Sequence, residues 1–330
     1  MRILILGGTK FVGPYVVRQL AGLGHELTIF HRGETETDLP PSVSHVHGDF
    51  ARFADYVNAL RALSPEVVLD MVPFRKEDAE RVKAFEGVAR RVVAISSQDV
   101  YRAFGRLWRT EPGPPDPMPL TEDSPLREKL SESGLDYNKT AVERVIMEET
   151  NLPATILRLP ATHGPGDPQH RLFFFIKRMD DDRPAILLDE AAANWQWARG
   201  YVEDVAYAIA LAVTDERAVG RVYNVAYEKT FTGAEWVHQI ARSVGWKGEV
   251  IVSSSDQLPP NLRSSKFDLT QQYVVDSSRI RKELGYAEVV QFDEAMRRTI
   301  EWERENPPAK VDPNEFNYDA EDAVISKLKD

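Results

Sequence analysis

The sequence predicts an α/β protein built on a doubly wound parallel sheet, with a smaller C-terminal lobe. Three observations predict this. Short β-branched apolar runs alternate with helix-period segments through the first half. A glycine cluster, Gly7-Gly8-Thr9-Lys10-Phe11-Val12-Gly13, stands between the first such run and the first helical pattern. With 330 residues, 42% of them hydrophobic, the chain is long enough to bury a full core.

The elements follow in order. Arg2–Leu6 is a buried strand, and Val12, Val16, Leu20 and Leu23 then recur at helical spacing, with Pro14 in the first turn and Gly24 past the end. Glu26–Phe30, Val43–His47, Val67–Asp70 and Val92–Ile95 are predicted strands. Phe53–Leu63 and Lys76–Phe85 are predicted helices between them. Residues Tyr101–Pro125 interrupt the rhythm with a proline-rich loop at Glu111–Leu120, expected to surround an active site. Helix resumes over Tyr137–Glu149 and a strand follows at Ala154–Leu159.

Beyond Gly164 the alternation weakens. A strand at Val222–Val225, a capping box at Thr232 and Glu235, and helices at Asp276–Leu284 and Asp293–Glu303 remain legible, the last stopped by Pro307-Pro308. Val311–Asp330 is acidic and weakly patterned, and reads as a surface tail available to a partner subunit. The expected division is a dinucleotide-binding lobe at 1–165 with return segments near 200–226, a mainly substrate-binding lobe at 166–305, and a tail at 306–330.

Composition excludes several classes. Forty-one Lys and Arg against 52 Asp and Glu give a net charge of -11, which repels nucleic-acid backbone and anionic membrane outside any local basic stripe. With no cysteine there is no disulfide, thiolate metal site or cysteine nucleophile. No signal-peptide pattern and no run of about 18 apolar residues is present, so a soluble cytoplasmic protein is expected. His45 and His47 share a strand face with no third ligand at metal spacing, and no metal is expected.

The glycine cluster points to a nicotinamide dinucleotide. Gly7 allows a tight turn, Gly13 allows close helix–strand packing, and the helix start offers free amides to a pyrophosphate. Gly8, Thr9, Phe11 and Val12 complete the turn. Lys10 replaces the usual middle glycine and either reaches a phosphate or points to solvent; the anion-attracting helix start favours the phosphate. At the end of the second predicted strand stand His31 and Arg32, where an NAD enzyme would place an acid. A guanidinium there suits a 2′-phosphate, so NADP(H) is expected over NAD(H). Asp49 and Phe50 meet the adenine or, for Asp49, cap a helix.

Several segments resemble the extended short-chain dehydrogenase/reductase family, the NAD-dependent epimerase/dehydratase group acting mainly on nucleotide sugars. The glycine turn looks like its fingerprint. Ser96-Ser97-Gln98-Asp99-Val100-Tyr101 is similar to its S-S-x-x-V-Y stretch. Arg158-Leu159-Pro160-Ala161-Thr162-His163-Gly164-Pro165-Gly166-Asp167 resembles R-P-x-x-x-Y-G-P-x-D. Tyr201-Val202-Glu203-Asp204-Val205-Ala206 resembles H-V-x-D-V-A, and Asp276–Tyr286 is similar to D-x-S-K-x-x-x-x-L-G-[WY]. The form of the turn looks most like an atypical branch, loosely isoflavone-reductase-like, sugar-dehydratase-like or mRNA-binding. The resemblance implies a Rossmann-type fold with interleaved lobes, a homodimer, and a nucleotide sugar or related small hydroxylated substrate.

It also implies a tyrosine and a lysine four residues apart, with a Ser or Thr, in which the lysine lowers the tyrosine pKa. Ser97 matches the Ser/Thr position. None of the eleven tyrosines is followed by lysine at the fourth position. Anchoring on Tyr137 puts Ala141 where lysine belongs, and anchoring on Lys139 puts Leu135 where tyrosine belongs. On one helix Tyr137 and Lys139 would lie about 200° apart, so both serve only if Tyr137 precedes the helix in a loop that swings it back. Two readings stay open: an enzyme with a rearranged site using Ser97, Lys139 and either Tyr137 or Tyr101, or a dinucleotide-binding protein without turnover.

On the substrate side Tyr101, Trp197 and Arg199 are candidates. Trp197 occupies the place where the family's diphosphate-gripping arginine would stand, and Arg199 lies two residues off. Arg102, Phe104, Arg106, Trp108 and Arg109 form a basic–aromatic stripe, which either lines the active-site mouth or binds RNA; the net charge disfavours RNA.

Overall fold

The computed structural model describes residues 1–35, 38–128 and 137–329. The strands are β1 (Arg2–Leu6), β2 (Glu26–His31), β3 (Ser44–His47), β4 (Val67–Asp70), β5 (Arg91–Ser97), β6 (Ala154–Leu159), β7 (Ala161–His163), β8 (Ala185–Asp189), β9 (Arg199–Tyr201), β10 (Arg221–Asn224) and β11 (Glu249–Ser253). The α-helices are α1 (Val12–Gly22), α2 (Phe53–Ala62), α3 (Lys76–Ala79), α4 (Arg102–Leu107), α5 (Lys139–Arg144), α6 (Phe173–Asp180), α7 (Glu190–Asn194), α8 (Val202–Thr214), α9 (Gly233–Val244), α10 (Ser278–Leu284), α11 (Phe292–Glu305) and α12 (Tyr318–Lys329).

Seven strands form one parallel sheet in the order β10-β6-β5-β4-β1-β2-β3. The order reverses between β1 and β4, which leaves a crevice outside the carboxyl ends of the strands. Its central strands are apolar on both faces because both are covered. Val16, Val17 and Leu20 of α1 pack with Val202, Val205 and Ile209 of α8 on one face. Phe53 and Leu60 of α2, Phe85, and Val142 of α5 cover the other. The return of β10 to the sheet edge, and of α8 to its face, interleaves the lobes.

The second lobe has its own core, where Ile176, Met179, Trp236, Ile240, Met296 and Ile300 meet. Its parallel pair β8–β11 escapes the sequence pattern, since the two strands lie 60 residues apart and flank helices of mixed polarity. Lys76–Phe85, expected as one helix, is a single α-turn followed by a 3-10 turn. The expected helix over Tyr137–Glu149 begins at Lys139, capped by the Asn138 side chain, and widens to π-geometry from Val145.

The C-terminal segment corrects the expectation of a surface tail. Residues 318–329 form α12, and Ile325 packs with Ala185, Leu187 and Leu258. Glu321 is fully buried, where it accepts from Arg178 Nη2 at 2.7 Å and Nε at 3.3 Å. Only these two residues of the helix are buried, so its apolar stripe is too narrow to show in the sequence. Among the described residues, no helix is long and apolar enough to cross a membrane.

Candidate functional site

The crevice at the strand reversal holds a cavity of about 690 Å³. All eleven residues singled out for a dinucleotide line it: Gly7 through Gly13, with His31, Arg32, Asp49 and Phe50. They lie in the turn from β1 into α1 and at or just beyond the carboxyl ends of β2 and β3, which is why separate motifs converge. Gly7 and Gly8 both have φ of +92°, a backbone region that side chains rarely adopt. A Cβ on Gly13 would lie 2.5 Å from the Gly8 carbonyl carbon. The start of α1 therefore touches the turn itself, and its first residues, Val12 and Gly13, line the cavity. This geometry fits a pyrophosphate. Gly13→Val is expected to push α1 off the turn and weaken dinucleotide binding by roughly 100-fold or more, checked by fluorescence titration with NADPH; undiminished affinity would remove the turn from the site.

At the lip, Lys10 and Arg32 are exposed. Arg32 pairs with Glu34 at 3.0 Å. Asp49 caps a 3-10 turn through Ala51 N–H at 2.9 Å, the capping role read from the sequence, and the residue also lines the cavity. Below the cavity, Asp70 is fully buried; burial raises its carboxyl to about 6, with the Val72 amide, Arg81 and Lys139 opposing.

A second cavity of about 460 Å³ adjoins the first across Leu159. Ser97, Asp99 and Tyr137 line it. Tyr137 precedes α5, so the chain swings it back as the spacing requires; Leu135 and Asp136 lie outside the described residues. The Tyr137 hydroxyl meets the Ser97 hydroxyl and the Asp99 carboxylate. Lys139 Nζ sits 5.7 Å from the Tyr137 ring centre and donates to the carbonyls of Pro73 at 2.8 Å and Ile95 at 2.9 Å. Burial lowers the Lys139 pKa to about 8, against the pull of Asp70 and Asp99.

The expected electrostatics are corrected. Burial pushes the Tyr137 phenol far above its ordinary value, and the negative Asp99 adds to the rise. Burial also raises the Asp99 carboxyl. Burial sets the phenol first and the Asp99 carboxylate second, in place of the expected lysine. Asp99 is the residue that sequence reasoning missed. The available signal was an acid two residues after the candidate serine, at a strand end.

Tyr101 departs from its expected place. It is fully buried, donates to Asn224 Oδ1 at 2.7 Å and accepts from Arg158 Nη1 at 3.0 Å. It lines neither cavity. Arg158 in turn holds Glu143 at 2.7 Å, one turn beyond Lys139 on α5. This motif builds the core beneath the site.

Trp195 and Trp197 line the second cavity and a smaller one of about 250 Å³ behind it, with Arg171 shared between the two. Arg199 lines the smaller cavity. Its guanidinium donates to the Trp197 carbonyl at 3.2 Å and lies over the Trp236 ring at 4.4 Å, and among the described residues no carboxylate pairs with it. Burial lowers its pKa to about 9, and the positive Arg171 adds to the fall. A desolvated cation without a counter-charge favours an anionic ligand. The basic stripe is largely consumed: Arg102 and Arg106 both pair with Asp116, at 2.6 Å and 3.1 Å. Trp108 and Phe104 line the second cavity.

Comparison with known proteins locates the fold. The model of the NAD dependent epimerase/dehydratase family matches residues 3–226. Among curated relatives, 2'-dehydrokanamycin reductase of Streptomyces kanamyceticus is 28% identical over 253 residues, covering 74% of this chain and 67% of the relative. A dTDP-glucose 4,6-dehydratase of Streptomyces niveus is 24% identical over 343 residues, covering 93% of this chain and 94% of the relative. The Bordetella bronchiseptica enzyme WbmG, solved in complex with NAD and UDP, superposes with a TM-score of 0.69 at 20% identity, covering 93% of this chain and 96% of that one.

Proposed function

Because the chain belongs to the NAD dependent epimerase/dehydratase family, we propose that it is a dinucleotide-dependent enzyme acting on a hydroxyl-bearing carbon of a nucleotide sugar or a related small anionic substrate. The observation that carries this reading is the Ser97–Tyr137–Asp99 cluster, one side chain away from the glycine-floored cavity.

The bound nicotinamide would supply hydride transfer. The first cavity would hold it, with Gly7, Gly8 and Gly13 admitting the pyrophosphate. Ser97 would donate a hydrogen bond to the reacting oxygen. Tyr137 would take the substrate hydroxyl proton while passing its own to Asp99, so the phenol never carries net charge. That relay suits a phenol held high and a carboxylate raised toward neutrality by burial. Lys139 would stabilise the Asp99 carboxylate and fix the loop through its carbonyl contacts. Arg199, with Arg171, would hold the substrate's anionic part. Incubation with UDP-glucose, dTDP-glucose and an aminoglycoside ketone, with either dinucleotide, should give an altered sugar by NMR. A second reading, binding without turnover, is favoured by Lys139 spending its bonds on backbone carbonyls; dinucleotide binding with no change in any substrate would support it.

The cofactor is proposed to be NADP(H). Arg32 stands at the cavity lip and pairs with the exposed carboxylate of Glu34, and a 2′-phosphate would replace that partner. NADPH is expected to bind roughly tenfold more tightly than NADH, and Arg32→Ala to erase the difference. Tighter NADH binding by the natural chain would reverse the assignment.

A further inference from the structure

We propose that His31, His45 and His47 form a binding site for a divalent transition-metal ion of the zinc class, at the lip of the larger cavity. The sequence showed two of these histidines and no third. The sheet supplies it. β2 and β3 are parallel, with His31 opposite His47 in register. His45, two residues before His47, projects to the same face because side chains alternate along a strand.

The three imidazoles converge. One nitrogen from each lies within 4.8 Å of the other two. His31 Nε2 and His45 Nδ1 are 3.0 Å apart, and the ring centres of His31 and His47 are 4.7 Å apart. Nitrogens around a tetrahedral zinc at about 2.1 Å stand roughly 3.4 Å from one another. Side-chain rotation alone brings the three to that spacing. Imidazole is the ligand type that suits zinc, copper and nickel. His31 is buried and anchors the site, while His45 and His47 are exposed, and among the described residues no fourth His, Asp or Glu joins the cluster, which leaves a coordination position for water or an outside ligand. Three protein nitrogens with one open position is the composition of a metal site able to take an exogenous ligand.

The site is built into the cavity wall. His31 lines the cavity and its Nδ1 accepts from the Gly33 amide at 3.2 Å. Coordination through His31 Nε2 places the proton on Nδ1, so the Gly33 amide must turn away.

The test uses the full chain without an affinity tag, dialysed against chelator and titrated with Zn²⁺ by calorimetry and with Co²⁺ by visible absorption. One ion per chain is expected, with an intense tetrahedral Co²⁺ band. His45→Ala and His47→Ala, both exposed and so compatible with folding, should each weaken Zn²⁺ binding by roughly tenfold or more. Their circular dichroism should match the natural chain. Substoichiometric binding, or a double variant that binds Zn²⁺ as tightly as the natural chain, would overturn the proposal.

Discussion

Replacement of Tyr137 by phenylalanine is expected to lower turnover about 10²- to 10⁴-fold, the range a positioned proton-transfer group contributes, while dinucleotide affinity stays unchanged. The separation follows from geometry. Tyr137 lines the second cavity and not the first, so deleting its hydroxyl removes a proton relay without touching the glycine turn. Asp99→Asn should produce a loss of similar size, because the phenol is raised partly by that carboxylate, which is the acceptor of its proton in the proposed relay. Stopped-flow and steady-state kinetics on whichever substrate is turned over would separate the effects. Unchanged turnover in Tyr137→Phe would take the residue out of the mechanism.

Truncation of Glu321 to alanine is expected to destabilise the protein by about 3–5 kcal/mol, the cost of leaving a buried charge without its partner. Arg178 is enclosed: its guanidinium centre lies 3.8 Å from the Phe174 ring centre and 4.7 Å from that of Phe316, and Nη2 also donates to the Glu315 carbonyl at 2.6 Å. Without Glu321 the charge has only carbonyls and ring faces. The protein can recover part of the loss by releasing α12, so hydrogen exchange should rise first across residues 318–329. A urea midpoint and α12 exchange rates equal to those of the natural chain would show that the ion pair contributes nothing net. The double replacement of Arg178 by methionine and Glu321 by leucine should recover much of the stability, since it removes both charges at once.

Most of the sheet was legible because a buried parallel strand is a local pattern: Ala154–Leu159 and Val67–Asp70 need only their own apolar runs. The cofactor crevice was legible too, since a glycine turn between strand and helix is contiguous in the chain. Features joining distant segments were not. Asp99 gains its meaning from a phenol 38 residues on, and Tyr101 reads as exposed chemistry until Arg158 and Asn224 are seen to enclose it. The α12 segment is anchored by Ile325 and by the buried Glu321, which sequence alone reads as surface charge.

The sequence by itself therefore determined the α/β architecture, the glycine-floored cavity and the identity of Ser97, Tyr137 and Lys139 as the groups to watch. The first two rest on periodicity and spacing, which act over a few residues; the third rests on the resemblance to the family. Only the tertiary structure decided that Tyr137 turns back to Ser97 and Asp99, that Lys139 spends its bonds on two carbonyls, that His31 joins His45 and His47, and that Arg199 has no carboxylate partner among the described residues. The reason is physical. Desolvation and charge pairing depend on which groups the fold brings within a few ångströms, and that is set by the packing of elements far apart in the chain.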